Sequence, residues 1–209
     1  ITTVLLGNCG VGLAPAHKED RDLMAQDLTN VESMSEQVLK AGVQWDFETF
    51  PEYMDSAERR GCGINLAFLA PLAPFRTYVL RQQSAERAST AAETAQIAKL
   101  LEEAMDAGAW GWSTTAISSH IGYQGKPFAA RLASRDEMAV YARILKKLGR
   151  GIVELALTKR YASLADDEYT LLEMLSNESG RNGSWLSLHN LREKPHGVQE
   201  VLEKAAPLI

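Results

Sequence analysis

Cysteine is scarce in this chain. Cys9 and Cys62 are the two it has, and they form neither a disulfide framework nor a Cys-x-x-Cys redox or zinc motif. A reducing cytoplasm is therefore the expected setting. Histidine lacks pattern: His17, His120, His189 and His196 make no His-x-His and no His-Glu-x-x-His, so no metal site is carried by one short motif. No apolar run approaches the roughly 20 residues of a membrane span. The strand-like run at Ile1 is not a signal peptide, and the natural start is expected to lie upstream. The basic pairs Arg59-Arg60 and Lys146-Lys147 are short and sit beside acids in a chain of net charge −5. Neither nucleic acid nor a membrane is an expected partner. Repeats, low-complexity segments and linkers are also absent.

What is present is an ordinary globular composition, 45% hydrophobic and 23% charged over 209 residues, suiting one domain or part of a larger one. Ile1-Thr2-Thr3-Val4-Leu5-Leu6 is β-branched and apolar and reads as a buried strand. Further strands are expected over 64–69, 110–114, 151–157 and 184–188. Helices are expected over about 31–41, then 47–60 with Pro51 in the first turn, 75–83, 90–107, 135–148, 162–179 and 198–206. Glycines at 42, 108, 149 and 180 mark the ends of four of them. Strands alternating with helices predict an α/β fold with parallel pairing and right-handed crossovers. An open doubly wound sheet and a closed eight-stranded barrel both remain open. Five strands fall short of the eight a barrel needs.

Gly7-Asn8-Cys9-Gly10-Val11-Gly12 holds a cysteine just past the C-terminal end of the first strand, the side on which α/β folds place their sites. The glycines allow a sharp turn and close approach of a ligand. The residues alone leave open whether Cys9 is a metal ligand, a nucleophile or an inert buried thiol, the last being a common fate of the residue. The run lacks the lysine of a P-loop and does not lead straight into a helix. His189 and His120 follow strands and belong on the same rim, whereas His17 and His196 look like surface loop residues. Ser113-Thr114-Thr115 can bond a ligand at the rim or only satisfy the turn. Lys159 and Arg160 can meet an anionic substrate or water. Trp45-Asp46-Phe47-Glu48 reads equally well as a capped helix entry with packing rings. Asp166-Asp167-Glu168 suits the acidic first turn of a helix.

The stretch from Ile1 to Pro15 resembles N-acyl-D-amino-acid deacylases (D-aminoacylases) of the amidohydrolase superfamily, which show a strand followed by Gly-Asn-Cys-Gly-Val-Gly-Phe-Ala-Pro. Trp45-Asp46-Phe47-Glu48-Thr49-Phe50-Pro51-Glu52-Tyr53 is similar to their Trp-Asp-Trp-Glu-Ser-Phe-Pro-Glu-Tyr. Gly108-Ala109-Trp110-Gly111-Trp112-Ser113-Thr114 is similar to their Gly-Ala-x-Gly-Phe-Ser-Thr. The likeness is clearest between residues 1 and 160. It implies a (β/α)8 TIM-type barrel, of which residues 1–209 are an incomplete, internal piece with about five strands. It also implies zinc at the C-terminal rim, with Cys9 as a ligand and His189 as a second. Such a metal lowers the pKa of a bound water to about 7 for attack on the amide of an N-acyl amino acid, while a carboxylate moves the proton to the leaving amine.

The family's His-x-His pair and catalytic aspartate have no counterpart in these residues, so the piece by itself is expected to be inactive. His189-Asn190-Leu191-Arg192 is one residue longer than the family's His-x-Arg. Ala70-Pro71-Leu72-Ala73-Pro74-Phe75-Arg76 lacks the histidine of a Val-Gly-His-Gly turn. The Ser118-Ser119-His120 loop has histidine in place of tyrosine. Ser113 and His120 are the candidate substrate-binding groups. A barrel short of strands exposes sheet edges, so an oligomer or an edge-covered assembly is expected.

Overall fold

The computed structural model describes residues 1–157, 161–186 and 188–208. Strand β1 (Thr3–Leu6) pairs in parallel with β2 (Asn65–Phe68), Thr3 opposite Asn65 and Leu6 opposite Phe68. The chain passes Leu69 and continues as β3 (Ala70–Pro71), which changes partner and pairs with β4 (Gly111–Thr115). From there β4 pairs with β5 (Ile152–Ala156) and β5 with β6 (Gly183–Leu186), again in parallel. Each strand position thus neighbours the next in sequence. A doubly wound sheet reverses its strand order at a switch point, and this one does not. The fold is α/β, a partial (β/α)8 TIM-type barrel; among the described residues no pairing of β6 with β1 closes it.

Helices α1 (Arg21–Glu32), α2 (Glu36–Gly42) and α3 (Phe50–Arg60) lie between β1 and β2. The helix expected over 31–41 is observed as α2 from Glu36, and α1 precedes it as a helix that was not expected, the two divided at Ser33, whose φ of 55° breaks the helical path. Helix α3 starts at Phe50 rather than 47. The hydroxyl of Thr49 accepts from the Glu52 amide, and the Glu52 carboxylate accepts from that of Thr49. This reciprocal cap satisfies two otherwise unpaired N–H groups, and Pro51 removes a third. Thr-Phe-Pro-Glu is thus a helix-start signal.

Then follow α4 (Leu72–Leu80), α5 (Ala91–Asp106), α6 (Arg135–Leu148), α7 (Asp166–Ser179) and α8 (Gly197–Ala205). Reciprocal caps at Thr90/Glu93 and Ser134/Glu137 start α5 and α6. None of the described helices is long and apolar enough to cross a membrane.

The core lies between the strands and the helices. Trp112 points outward from β4 and meets Tyr141 edge-on at 6.1 Å, with Ile97, Leu101, Met105 and Leu145 fully buried in the same cluster. Arg76, also fully buried, pairs with Glu137 and donates to the carbonyls of Ala129 (2.9 Å) and Arg87 (2.8 Å). One ion pair so joins α4, α6 and two loops. The opposite, inward face carries a polar row, because the register sets Ser113, Glu154 and Ser184 abreast on β4, β5 and β6.

Candidate functional site

The Cys9 turn begins where β1 ends. Gly7 has φ 90°, Cys9 φ 61° and Gly10 φ 69°, so three residues close together take the left-handed conformation and fold the chain back over the strand ends. Three hydrogen bonds hold it. The Cys9 amide donates to Oε2 of Glu154 at 2.9 Å. The Gly10 amide donates to Oγ of Ser113 at 3.1 Å, and that hydroxyl donates in turn to the Gly7 carbonyl. The turn leaving β1 is therefore anchored on β4 and β5.

The glycines serve this anchoring. A Cβ on Gly10 would lie 2.8 Å from the Thr114 Cα, and one on Gly7 would lie 2.3 Å from the Leu69 carbonyl oxygen. Both positions admit only a bare backbone against a neighbouring strand. Close approach is indeed what they provide, but to protein rather than to a ligand.

Glu154 is the functional residue that motif reading missed. It is 2% exposed, its Oε1 has no hydrogen-bond partner, and burial pushes its pKa up to about 7. Its signal was a lone acid inside the apolar run Ile152-Val153-Glu154-Leu155-Ala156. A carboxylate there needs a reason, since desolvating a charge is costly unless it is paired.

Glu32, at the end of α1, is the second missed acid. Its charge is felt by Cys9, His120 and Glu154 alike. The half-buried thiol of Cys9 is pushed up to about 12, first by burial and then by Glu32 and Glu154. His120 bonds through Nδ1 to Oγ1 of Thr115 at 2.9 Å, and burial lowers its pKa. The His120 carbonyl accepts from Arg131.

The remaining residues singled out in the sequence lie elsewhere or serve otherwise. Ser113 is fully buried, its hydroxyl engaged by the turn. His189 is exposed, with its ring edge-on to Tyr161 at 5.5 Å and its carbonyl beside Gly197. His17 is not a free surface residue: it stacks on Tyr78 at 3.8 Å and meets Glu48. Asp46 binds Ser56, Arg59 and Arg60, so the Trp45-Asp46-Phe47-Glu48 motif ties down α3. Lys159 and Arg160 lie outside the described residues.

A thiol and an unpartnered buried carboxylate oxygen of Glu154 are donor types that a cation accepts. The set is nonetheless incomplete: among the described residues no three His, Cys, Asp or Glu side chains are grouped to hold a metal ion. The described residues thus provide part of a coordination sphere and not a whole one.

No family model matches the chain. It is 33% identical over 118 residues to the D-aminoacylase of Alcaligenes xylosoxydans xylosoxydans, a match covering 56% of this chain and 22% of that protein. An uncharacterised protein of Mycobacterium tuberculosis is 34% identical over 160 residues, covering 72% of this chain and 26% of its own. A D-aminoacylase structure described as having a binuclear metal centre superposes with a TM-score of 0.61 at 25% identity, over 88% of this chain and 34% of that one. The zinc- and phosphonate-bound N-acyl-D-glutamate deacylase of Bordetella bronchiseptica gives 0.63 at 22% identity, over 99% and 40%. The resemblance to D-aminoacylases is thus found by sequence and by structure. The chain spans about a quarter of the length of the curated relatives it matches.

Proposed function

From this likeness to the D-aminoacylase type of amidohydrolase, we propose that the chain contributes five successive strand positions, β2 and β3 together forming one of them, and the ligand Cys9 to a zinc-dependent hydrolase cleaving the amide of an N-acyl amino acid. The observation that carries the reading is the docked Cys9 turn, which sets a thiol beside Glu32 and Glu154. Burial first, and then the charges of Glu32 and Glu154, keep the thiol protonated, which opposes a role as a free nucleophile, because the thiolate is the reactive form. The same surroundings favour a cation, which would displace the thiol proton and balance the acids.

Within this reading Cys9 is a zinc ligand and His189 a second. His120 faces the substrate, and Ser113 supports the turn from beneath. The N-acyl amino acid is the small-molecule partner, and the setting is cytoplasmic. Bound zinc would supply Lewis-acid chemistry at the amide. The described residues do not complete its coordination.

The absence of a three-residue donor group among the described residues favours a second reading, an amidohydrolase-like scaffold that binds without metal. Metal analysis after dialysis against zinc separates the two. In a longer protein containing residues 1–209, the hydrolase reading expects bound zinc and a clear loss in Cys9→Ala. Equal zinc in both would sink it. A longer protein containing residues 1–209 should then hydrolyse members of an N-acyl amino-acid panel in a chelator-sensitive way, and inactivity across the panel would also count against the hydrolase.

A further inference from the structure

The Cys9 turn is held by groups far away in sequence. Cys9 itself has a left-handed backbone, which costs a non-glycine residue about 1–2 kcal/mol. Something must hold it there, and two side chains on adjacent strands do. Ser113 on β4 bridges Gly7 and Gly10, and Glu154 on β5 accepts the amide of Cys9. Glu154 is 2% exposed and stands abreast of Ser113, so its carboxylate cannot move away without leaving the polar row. Its second oxygen is buried without a partner. A carboxylate placed for packing alone would have both oxygens satisfied, or would be replaced by an apolar residue like its strand neighbours.

We propose that Glu154 is the positioning residue of the Cys9 turn, a clamp on the backbone amide that fixes the direction of the thiol. The inference deepens the hydrolase reading and rests on it for the claim that the thiol is a ligand. Groups that orient a ligand are commonly as important as the ligand, and losing one costs about 10- to 100-fold in metal affinity. The clamp needs an acceptor oxygen rather than a charge, so a glutamine amide oxygen should serve where alanine cannot. Charge and position are thereby separable.

Labelling with 15N-cysteine gives a direct readout, because Cys9 and Cys62 are the two cysteines of the chain, and a Cys62→Ser variant assigns them. In Glu154→Ala, exchange of the Cys9 amide with solvent should accelerate by at least about tenfold, with Cys62 unchanged. In Glu154→Gln the protection should persist. In a longer protein containing residues 1–209, zinc affinity, read by competition with a chromogenic chelator, should weaken by about 10- to 100-fold in Glu154→Ala and stay within about threefold of wild type in Glu154→Gln. Unchanged Cys9 exchange in the alanine variant overturns the proposal. So does a glutamine variant as deficient in zinc as the alanine one, which would make the carboxylate a direct ligand. If the wild-type protein holds no zinc while the exchange result stands, the clamp is confirmed and the ligand reading of Cys9 falls.

Discussion

Cys9 and His189 both follow parallel strands and both stand on the C-terminal rim, yet they are held in opposite ways. Around Cys9 the backbone takes three left-handed residues and three hydrogen bonds to other strands, over an inward row that is fully buried at Ser113 and Glu154. Around His189 the side chain is exposed, its ring meets an exposed Tyr161, and the inward row ends in an exposed Ser184. The difference teaches where preorganisation comes from. A rim residue is fixed when neighbouring strands carry polar groups to receive its backbone, and following a strand is not enough. Among the described residues, Cys9 has such a frame and His189 does not.

Four substitutions would break or sharpen this contrast. Arg76→Met should have the largest effect. It leaves Glu137 buried and uncompensated beneath the loop that packs on the Cys9 turn, and the expected cost is about 3–5 kcal/mol in denaturant unfolding. Gly10→Ala should follow, at about 2–4 kcal/mol, because a Cβ at φ 69° meets the backbone of Thr114. A cost below 1 kcal/mol would show that the turn is not docked as described.

Asp27→Asn tests the neighbouring loop, since Asp27 on α1 accepts from the Tyr123 amide at 2.8 Å. Burial raises its pKa to about 6 from the ordinary 3.8. The native state therefore binds this proton more readily than the unfolded chain, and stability falls as pH rises from about 4 to about 6. Asparagine keeps an acceptor and removes the charge. The variant should be about 1–3 kcal/mol more stable than wild type at pH 7.5, and its stability should be flatter between pH 4 and 6. A variant destabilised at pH 7.5 would mean that the charge is wanted there. His189→Ala should be smallest, within about 0.5 kcal/mol. A larger loss would place His189 in a frame of its own.

Strands β4 and β5 were legible in the sequence because buried parallel strands are near-continuous apolar runs. Strand β1, expected to be buried on the same ground, is exposed to half-buried, as is β6, because each lies at a sheet edge among the described residues. Helices α5 and α6 were legible because their caps and terminal glycines are local chemistry. Helix α1 was not: its buried residues include Asp27 beside Met24 and Leu28, so its apolar stripe is interrupted by an acid whose partner lies in the loop after β4. The change of partner at Leu69 was equally hidden, since a run of apolar residues does not say which neighbour each one bonds. Cys9 could be found from its loop and from the family likeness. Glu154 gave a weaker sign, one acid in an apolar strand, and Glu32 gave none, because an acid at a helix end is commonplace until the fold brings it to a thiol.

The groups at this rim also differ in their freedom to vary. Ser113 and Glu154 lie within strands, where a change disturbs pairing on both sides. Glu32 rides on the long connection between β1 and β2, outside the sheet. Connections of that kind accept insertion and replacement more readily than the strands they join. Selection could thus retune the charge around Cys9 by remodelling α1 alone, leaving the cradle beneath the thiol untouched.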